Sequence, residues 1–419
     1  MRNGNKNLYL KVFMVIVCIN SAYTRRDIRG LELQSVAESE NLFAEDIYQA
    51  LIQPGQALSE GNVLLSPLSI SIGLSMLREG ASGKTEEEIT KGLRINKDTS
   101  DDDLRKGYTE LISSLKDDRN NGEEVRLQLA NRIFVGLVYP IKESFLQTAR
   151  SHFFADAEQV NFGDMEPAAL TVNQWVQTAT KNRIKDVVVP SMLTNQTAMI
   201  LVNAIHFKGQ WKFPFDPDHT SEQSFRTLSG REIPVKMMQL DRPRKLKYAK
   251  LPDLKSSAVA LPYISQRYSF VIVLPDPEES LVDVEQYLKD GILAAIPSRM
   301  RSTSVDVRMP KLLLDSSIDL IASKSLENLG MESISTEFAE FGRLSEVDGL
   351  RITNVIHKAF LEVNEAGSEA AAASAFIAQA RSLDIEPENA VKFIVDRPFI
   401  AYIYDSLTRS ILFVARKVS

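Results

Sequence analysis

The spacing of apolar residues predicts helices in the first third of the chain. Phe43, Ile47 and Leu51 recur at every fourth position, which places them on one face of a helix. Ser66 followed by Pro67 is typical of a helix start. The serine side chain caps free backbone N–H groups, and proline fits the first turn.

Strand patterns begin near residue 125. Apolar side chains alternate with more polar ones over 125–135, which predicts a strand with one buried face. Residues 198–207 are almost continuously apolar, as expected for a strand covered on both faces, and 269–274 and 411–415 are similar. Because helices and strands alternate without a regular βαβ rhythm, the order indicates an α+β fold.

Residues 1–22 have the pattern of a secretory signal peptide. Basic residues precede the apolar run 12–19, and the small residues Ser21 and Ala22 follow it. The run is shorter than the ~20 residues that span a bilayer; a buried N-terminal helix is the alternative. Cleavage would remove Cys18, the only cysteine, and change the net charge from −6 to −9. We therefore expect a secreted, extracellular protein without disulfides.

The remaining residues, 23–419, are expected to form a single domain, since no linker, repeat or low-complexity tract divides them. A content of 44% hydrophobic and 25% charged residues is typical of globular proteins. Asn195 begins a glycosylation sequon in a polar turn. The four histidines lack metal-ligand spacing, and no nucleophile elbow is present. We expect a monomer that is not an enzyme and has no metal, nucleic-acid or membrane partner.

The segment after 362 departs from these patterns. An alternating strand reaches Gly367, small side chains fill 368–375, and Arg381 precedes Ser382. Taken alone, the small residues also fit a helix, since alanine favours helices, or a flexible linker. The segment comprises Glu365, Gly367, Ser368, Glu369, Ala370, Ala371, Ala372, Ala373 and Ser374.

Seven motifs along the chain together resemble the serpins, serine protease inhibitors that act by changing shape. They lie at 62–70, 80–85, 131–134, 201–211, 309–311, 356–359 and 396–399. The resemblance makes the residues from Glu365 to Ser374 named above the hinge, where entry of the loop into a sheet would begin. In this family the bait residue, which the target protease attacks, lies fourteen positions after the hinge glycine, and Arg381 lies fourteen positions after Gly367. The resemblance implies an α+β fold of three β-sheets and eight or nine helices, with an exposed reactive-centre loop at about 365–392.

The resemblance also implies a suicide-type inhibitor of trypsin-like serine proteases. The protease would cleave Arg381–Ser382 and be held in a covalent complex while the loop enters the central sheet. Arginine fits because trypsin-like proteases carry an aspartate in the specificity pocket. In the family register, the inward side chains are Ser368, Ala370, Ala372, Ser374 and Phe376. Small inward residues favour this interpretation over a carrier protein of the same fold that has lost inhibition.

Two further regions take their roles from the resemblance. The shutter, a buried hydrogen-bonded cluster beneath the parting strands, comprises Ser66, Ser69, Asn203 and His357. The breach, at the top of the sheet, would pair Glu365 with Lys311 near Trp211. Both regions are expected to control how the sheet opens.

A basic run has two interpretations. It consists of Arg242, Arg244, Lys245, Lys247 and Lys250. Such a run fits a solvated hairpin, and it also fits a site for a heparin-like polyanion, which would make a glycosaminoglycan a partner.

Overall fold

The structure is a computed structural model that describes residues 30–56, 58–116, 125–368 and 389–419. Within these ranges the chain forms nine α-helices and sixteen strands, which join in two sheets. The α+β class is therefore confirmed. The 1–22 segment and residues 369–388 lie outside the described residues.

The helices concentrate in the first half of the chain, as the apolar spacing predicts. They are α1 (Leu31–Ile52), α2 (Pro67–Gly80), α3 (Gly83–Gly92), α4 (Asp101–Lys116), α5 (Glu143–His152), α6 (Met165–Ala179), α7 (Leu281–Glu285), α8 (Ile292–Arg299) and α9 (Ser325–Asn328). No helix in the described ranges is both long enough and apolar enough to cross a bilayer.

The larger sheet has ten strands. Its members are β1 (Val63–Leu65), β5 (Ser221–Arg226), β6 (Glu232–Gln239), β7 (Arg244–Leu251), β8 (Ser256–Pro262), β9 (Tyr268–Pro275), β10 (Arg301–Pro310), β14 (Val391–Ile394), β15 (Phe399–Asp405) and β16 (Ser410–Lys417). The order is β1-β16-β15-β9-β8-β7-β10-β6-β5, with β14 also paired to β10.

The expected number of three sheets is corrected to two among the described strands. Strand β10 is the reason, because it pairs with two different partners along its length. Residues 301–305 pair with β7, and residues 308–310 pair with β6. One long strand thus joins two groups of strands into a continuous sheet.

The smaller, central sheet has six strands. They are β2 (Val125–Gly136), β3 (Asp156–Val160), β4 (Met199–Gln210), β11 (Leu312–Asp319), β12 (Ile352–Asn364) and β13 (Gly367–Ser368). The order is β11-β12-β13-β4-β2-β3, and β12 also pairs directly with β4. Strands β12 and β4 are parallel, whereas β13 is antiparallel to both.

Helix α2 lies between the two sheets. It packs against β2 and β4 on one side and β16 on the other, and all of its residues are buried. Such all-round burial is typical of a central core helix. Ser66 caps the helix as predicted, since its side chain accepts a hydrogen bond from the backbone N–H of Ser69. Helix α2 therefore fixes the start of the shutter region against the central sheet.

Candidate functional site

Strand β13 lies between β4 and β12 at one end of the central sheet. It has only two residues, Gly367 and Ser368, and both are buried. Ser368 pairs with Val363 of β12 on one side and with Gly209 of β4 on the other. The first residues of the predicted hinge are thus already part of the sheet.

The position of β13 depends on Gly367. Its φ of +151° is one that L side chains rarely adopt. A Cβ atom at this position would lie 2.0 Å from the carbonyl oxygen of Gly209. The backbone of β13 can approach β4 this closely only because residue 367 has no side chain.

A buried hydroxyl pair holds Ser368. Its Oγ lies 2.7 Å from the phenolic oxygen of Tyr263. Tyr263 is fully buried and stacks on Trp211, with ring centroids 4.6 Å apart. Burial raises the pKa of the Tyr263 phenol well above its ordinary value, so the hydroxyl keeps its proton. The sequence offered no signal for Tyr263, because it follows a strand of the other sheet.

The breach residues hold the turn that leads into β13. The indole N–H of Trp211 donates to the carbonyl of Asn364 at 2.9 Å, and its backbone N–H donates to the carbonyl of Ala366 at 3.0 Å. The backbone N–H of Phe215 donates to the carbonyl of Glu365 at 2.9 Å. The segment after β4 therefore anchors the turn largely through backbone groups.

The side chain of Glu365 also has two polar partners. Lys311 Nζ and Thr220 Oγ1 each lie 2.7 Å from Glu365 Oε1. Burial acts to raise the pKa of Glu365, but these two hydrogen bonds, a backbone hydrogen bond and the charge of Lys311 together hold the pKa below its ordinary value. The structure thus brings Glu365, Lys311 and Trp211 together at one end of the sheet.

Below β13, strands β4 and β12 pair directly. The pairing runs from Met199–Ile352 to His206–Phe360. The rings of His206 and Phe360 stack at the last pair, with centroids 6.2 Å apart. This ring pair lies at the point where β4 and β12, which β13 separates above, begin to pair directly with each other.

The shutter residues meet in the closed part. The backbone N–H of Ser66 donates to Nε2 of His357 at 3.0 Å. His357 Nδ1 lies 2.5 Å from Asn203 Oδ1; because Nε2 accepts, Nδ1 carries the proton and donates. His357 and Asn203 are direct partners in the β12–β4 pairing. Their hydrogen bond therefore crosses the seam that a further inserted strand would separate.

Other shutter contacts connect the seam to the core. Asn203 Nδ2 donates to Ser69 Oγ at 2.5 Å, and Ser66 Oγ donates to the carbonyl of Leu412 at 2.6 Å. Burial lowers the pKa of His357 to about 3, so the imidazole is neutral at physiological pH. This cluster joins α2, β4, β12 and β16.

Asn131 is a shutter residue that the sequence prediction missed. Its side-chain oxygen accepts a hydrogen bond from Asn203 Nδ2, and it lies in β2 beside β4. A signal was present, because Asn131 is a polar residue on the apolar phase of the 125–135 alternation. A buried polar residue at such a position needs partners from neighbouring strands.

The remaining predicted site residues lie elsewhere. Arg381, Ser382 and residues 369–374 are outside the described residues. Asn195 is exposed in a turn, and its glycosylation stays a prediction. In the described part of the chain, no cluster of three or more His, Cys, Asp or Glu side chains has the arrangement of a metal site.

The structure divides the basic run. Arg244 forms an ion pair with Asp241 at 2.7 Å, and Lys250 forms one with Asp276 at 2.5 Å. Lys245 and Lys247 are exposed on β7. The two paired residues therefore offer a polyanion less free charge than the sequence alone indicates.

Comparison with known proteins gives a match over nearly the whole chain. The family model described as serpin (serine protease inhibitor) matches residues 38–419. Serpin B6 of Pongo abelii is 31% identical and aligns over 91% of this chain and 98% of its own. The leukocyte elastase inhibitor of Sus scrofa is 33% identical and aligns over 92% of this chain and 99% of its own.

Solved structures share the fold. Serpin48 of the insect Tenebrio molitor superposes with a TM-score of 0.79 at 30% identity, over 92% of this chain and 98% of its own. Human thyroxine-binding globulin, solved with thyroxine, superposes with a TM-score of 0.81 at 28% identity. The superposition covers 93% of this chain and 99% of that protein's chain. The fold thus occurs both in inhibitors and in a ligand carrier.

The relatives contradict the prediction of secretion. Serpin B6, the leukocyte elastase inhibitor and Serpin B8 of Homo sapiens are intracellular serpins that lack signal peptides. The prediction rested on one local pattern in residues 1–22. The correction follows these relatives, which match over 91–92% of the chain.

Proposed function

The chain belongs to the serpin family, and from that membership we propose that it is a suicide-type inhibitor of trypsin-like serine proteases with Arg381–Ser382 as the reactive bond. The observation that carries the proposal is β13. Gly367 and Ser368 occupy the position between β4 and β12 that the first residues of an inserted loop would take.

The covalent step follows ordinary serine-protease chemistry. The protease serine hydroxyl attacks the carbonyl carbon of Arg381, and the protease histidine takes the hydroxyl proton. The C–N bond between Arg381 and Ser382 breaks, and that proton passes to the departing amino group of Ser382. An ester then joins Arg381 to the protease serine. Inhibition requires that this ester is not hydrolysed.

Insertion of the loop is the proposed trap. After cleavage, the residues that follow Ser368 would extend β13 as a full strand between β4 and β12. At about 3.3 Å per residue, residue 381 would then lie about 43 Å along the strand from residue 368. Beyond Ser368, strand β12 continues for the eleven residues from Glu362 to Ile352, or about 36 Å, so residue 381 would lie just past its end. The attached protease would be carried to the far end of the sheet.

The residue types of the loop support this proposal. Alternate side chains of an inserted strand must face the helix-covered interior. Positions 368, 370, 372 and 374 hold only serine and alanine, which avoids an overpacking cost of about 1–3 kcal/mol for each bulky residue. Ser368 itself is fully buried, which supports the inward phase for these even-numbered positions.

The test mixes the protein with trypsin at near-equal amounts and separates the products on a denaturing gel. We expect a band near the summed masses that survives boiling in detergent, with a released peptide that begins at Ser382. The control is Arg381→Ala, which should lose the band and keep its fold by circular dichroism. A band that persists in Arg381→Ala would assign the bait to another residue.

A second candidate function is carriage of a small ligand on the same fold. The observation in its favour is the likeness to human thyroxine-binding globulin. Clean cleavage after Arg381 without a detergent-stable band would support it. Such a result would mean that the loop is accessible to the protease while insertion is too slow to trap the ester.

A further inference from the structure

Two loops lie at the far end of the central sheet, which is the end opposite to β13, where β2 ends and β4 and β12 begin. The first loop, 137–142, follows β2, and the second, 344–351, leads into β12. Three large apolar side chains in these loops are exposed. They are Leu137, Val138 and Val347, at 56%, 70% and 43%, and we call them the far-end apolar surface.

Hydrogen bonds hold the two loops in place. Tyr139 Oη donates to the carbonyl of Gly349 at 3.3 Å, which joins the first loop to the second. Gln159, near the end of β3, donates its side-chain N–H groups to the carbonyls of Leu137 and Tyr139, at 3.2 Å each. The turn that carries Leu137 and Val138 is therefore fixed through its backbone, while the two apolar side chains stay outside.

The fold leaves the far-end apolar surface in contact with solvent. Leu137 and Val138 are neighbours in sequence, and exposed apolar side chains that lie together typically mark a surface for a partner. Lys142 and Glu346, one from each loop, form an ion pair at 3.6 Å beside them. An apolar centre with a polar rim is the usual arrangement of a protein interface.

The register of β13 identifies the partner. Ser368 lies opposite Val363 of β12. A strand that continues antiparallel to β12 in this register advances one residue for each residue of its neighbour. Arg381 would then lie level with Leu350, which directly follows Gly349 of the second loop.

The other side of the slot leads to the same place. The register of β13 with β4 would put residue 381 level with Gln196. Two residues further on, the carbonyl of Ala198 accepts a hydrogen bond from the backbone N–H of Gly136 at 2.8 Å, and Gly136 directly precedes Leu137. After insertion, the ester to the protease would therefore lie beside both loops.

We propose that the far-end apolar surface is the docking surface for the trapped protease, an inference that rests on the function proposed above. The protease is attached through its catalytic serine, so the face around its active site meets this end of the sheet. Substrate clefts are lined mainly by apolar side chains. Contact with Leu137, Val138 and Val347 would bury apolar area on both partners and exclude water from the ester. Docking would thus slow the hydrolysis that releases the protease.

The test compares the lifetime of the trypsin complex in the wild type and in Leu137→Ser/Val138→Ser. Each complex is separated from free trypsin. The release of active trypsin is then followed with a chromogenic substrate, together with the loss of the detergent-stable band. We expect release to be about tenfold faster in the double variant, because two buried apolar contacts are lost. The rate of complex formation should not change, since these residues lie at the end of the sheet opposite to β13.

Three further variants make the result specific. Leu313→Ser makes the same kind of change near the other end of the sheet, because Leu313 is 70% exposed on β11 and lies opposite Glu362. It should keep the wild-type lifetime, as should Val138→Leu, which leaves the surface apolar. Val347→Ser should shorten the lifetime, and it tests the surface independently of how the first loop folds. Thermal midpoints near that of the wild type would establish that each variant is folded.

Two outcomes would overturn this inference alone. They are an unchanged lifetime in folded variants of both loops, and an equal shortening of the lifetime in Leu313→Ser. Failure of the wild type to form any detergent-stable complex would instead overturn the proposed function, and the docking surface with it. Dimerisation of the free protein that Leu137→Ser/Val138→Ser abolishes, with an unchanged complex lifetime, would assign the surface to a second copy of the chain.

Discussion

The two ends of the central sheet differ in how strands β4 and β12 are joined. At the upper end, β13 separates them, and the contacts that hold the turn are made by residues outside the sheet, such as Trp211 and Lys311. At the lower end the strands pair directly, and the His357–Asn203 hydrogen bond crosses the seam. At the upper end the two strands are separated, and residues beside the sheet hold the turn. At the lower end the strands are paired, and a hydrogen bond between their own side chains joins them.

The difference indicates where the barrier to loop insertion lies. The upper end needs little change, because Ser368 already occupies its slot. Insertion beyond β13 must first separate the His206–Phe360 ring pair and then break buried hydrogen bonds of the shutter. Breaking a buried hydrogen bond leaves desolvated groups unpaired, at a cost of about 1–3 kcal/mol for each group. If the loop inserts as proposed, the lower end would set the rate of insertion, and the upper end would set its register.

The largest expected effect breaks the register at the upper end. Ser368→Arg would place a charge where the native side chain is fully buried against Tyr263. Because an uncompensated buried charge costs several kcal/mol, the hinge should leave the sheet and insertion should become slower than hydrolysis of the ester. We expect the protein to become a substrate, with at least a tenfold rise in the molecules consumed per detergent-stable trypsin complex.

The matched control is Glu369→Arg. Successive side chains of a strand point to opposite faces, so this residue would face solvent in an inserted strand. It should keep near-normal complex formation. Normal complex formation by Ser368→Arg would show that the register proposed for the loop is wrong.

The intermediate effect is a loss of stability at low pH, which arises from His357 at the lower end of the sheet. The pKa of His357 is about 3 in the folded protein, against about 6.5 in an unfolded chain. Its contribution to stability is therefore complete above pH 6.5 and is lost as the pH falls toward 3. At pH 5 the loss should be about 2 kcal/mol.

The measurement is the free energy of unfolding in urea at pH 7.5 and pH 5, compared between the wild type and His357→Gln. The comparison is needed because burial raises the pKa of Glu45 to about 7, which acts in the opposite direction. The wild type should lose about 2 kcal/mol more than the variant between these pH values. An equal change in both proteins would contradict a pH-sensitive shutter.

The smallest expected effect concerns the ion pair between Lys311 and Glu365 at the upper end of the sheet. Lys311 is 41% exposed, so solvent screens its ion pair with Glu365. A double-mutant cycle with Lys311→Met and Glu365→Gln should give a coupling free energy of about 0.5–1 kcal/mol that falls in high salt. A coupling free energy of several kcal/mol would mean that the breach, and not the shutter, holds the sheet closed.

The sequence predicted the elements better than their assembly. The pattern of apolar residues located α1 and β4. Helix α1 buries apolar residues at helical spacing, and strand β4 is buried on both faces along most of its length. The paired Thr85 and Glu88 suggest a capped helix start, but α3 begins at Gly83, and Thr85 Oγ1 contacts Ser333 instead. A long-range contact of this kind leaves no local pattern.

The candidate site shows the same division. Shutter and breach residues could be named from the family resemblance, because all of them except Glu365 lie within its motifs. Tyr263 and the His206–Phe360 pair could not, since their roles arise from contacts across strands far apart in sequence. The joining of two strand groups by β10 was missed for the same reason, as register along a strand depends on its neighbours.

The close approach of β13 to β4 also limits how this sequence can vary during evolution. A side chain at position 367 would strike the carbonyl oxygen of residue 209, which every amino acid carries. No second substitution there can relieve the clash. A side chain at Gly209 would instead strike the rings of Tyr263 and Phe207, which smaller residues could replace. Position 367 is thus under an unconditional constraint, whereas a change at position 209 could be accommodated by changes at positions 207 and 263.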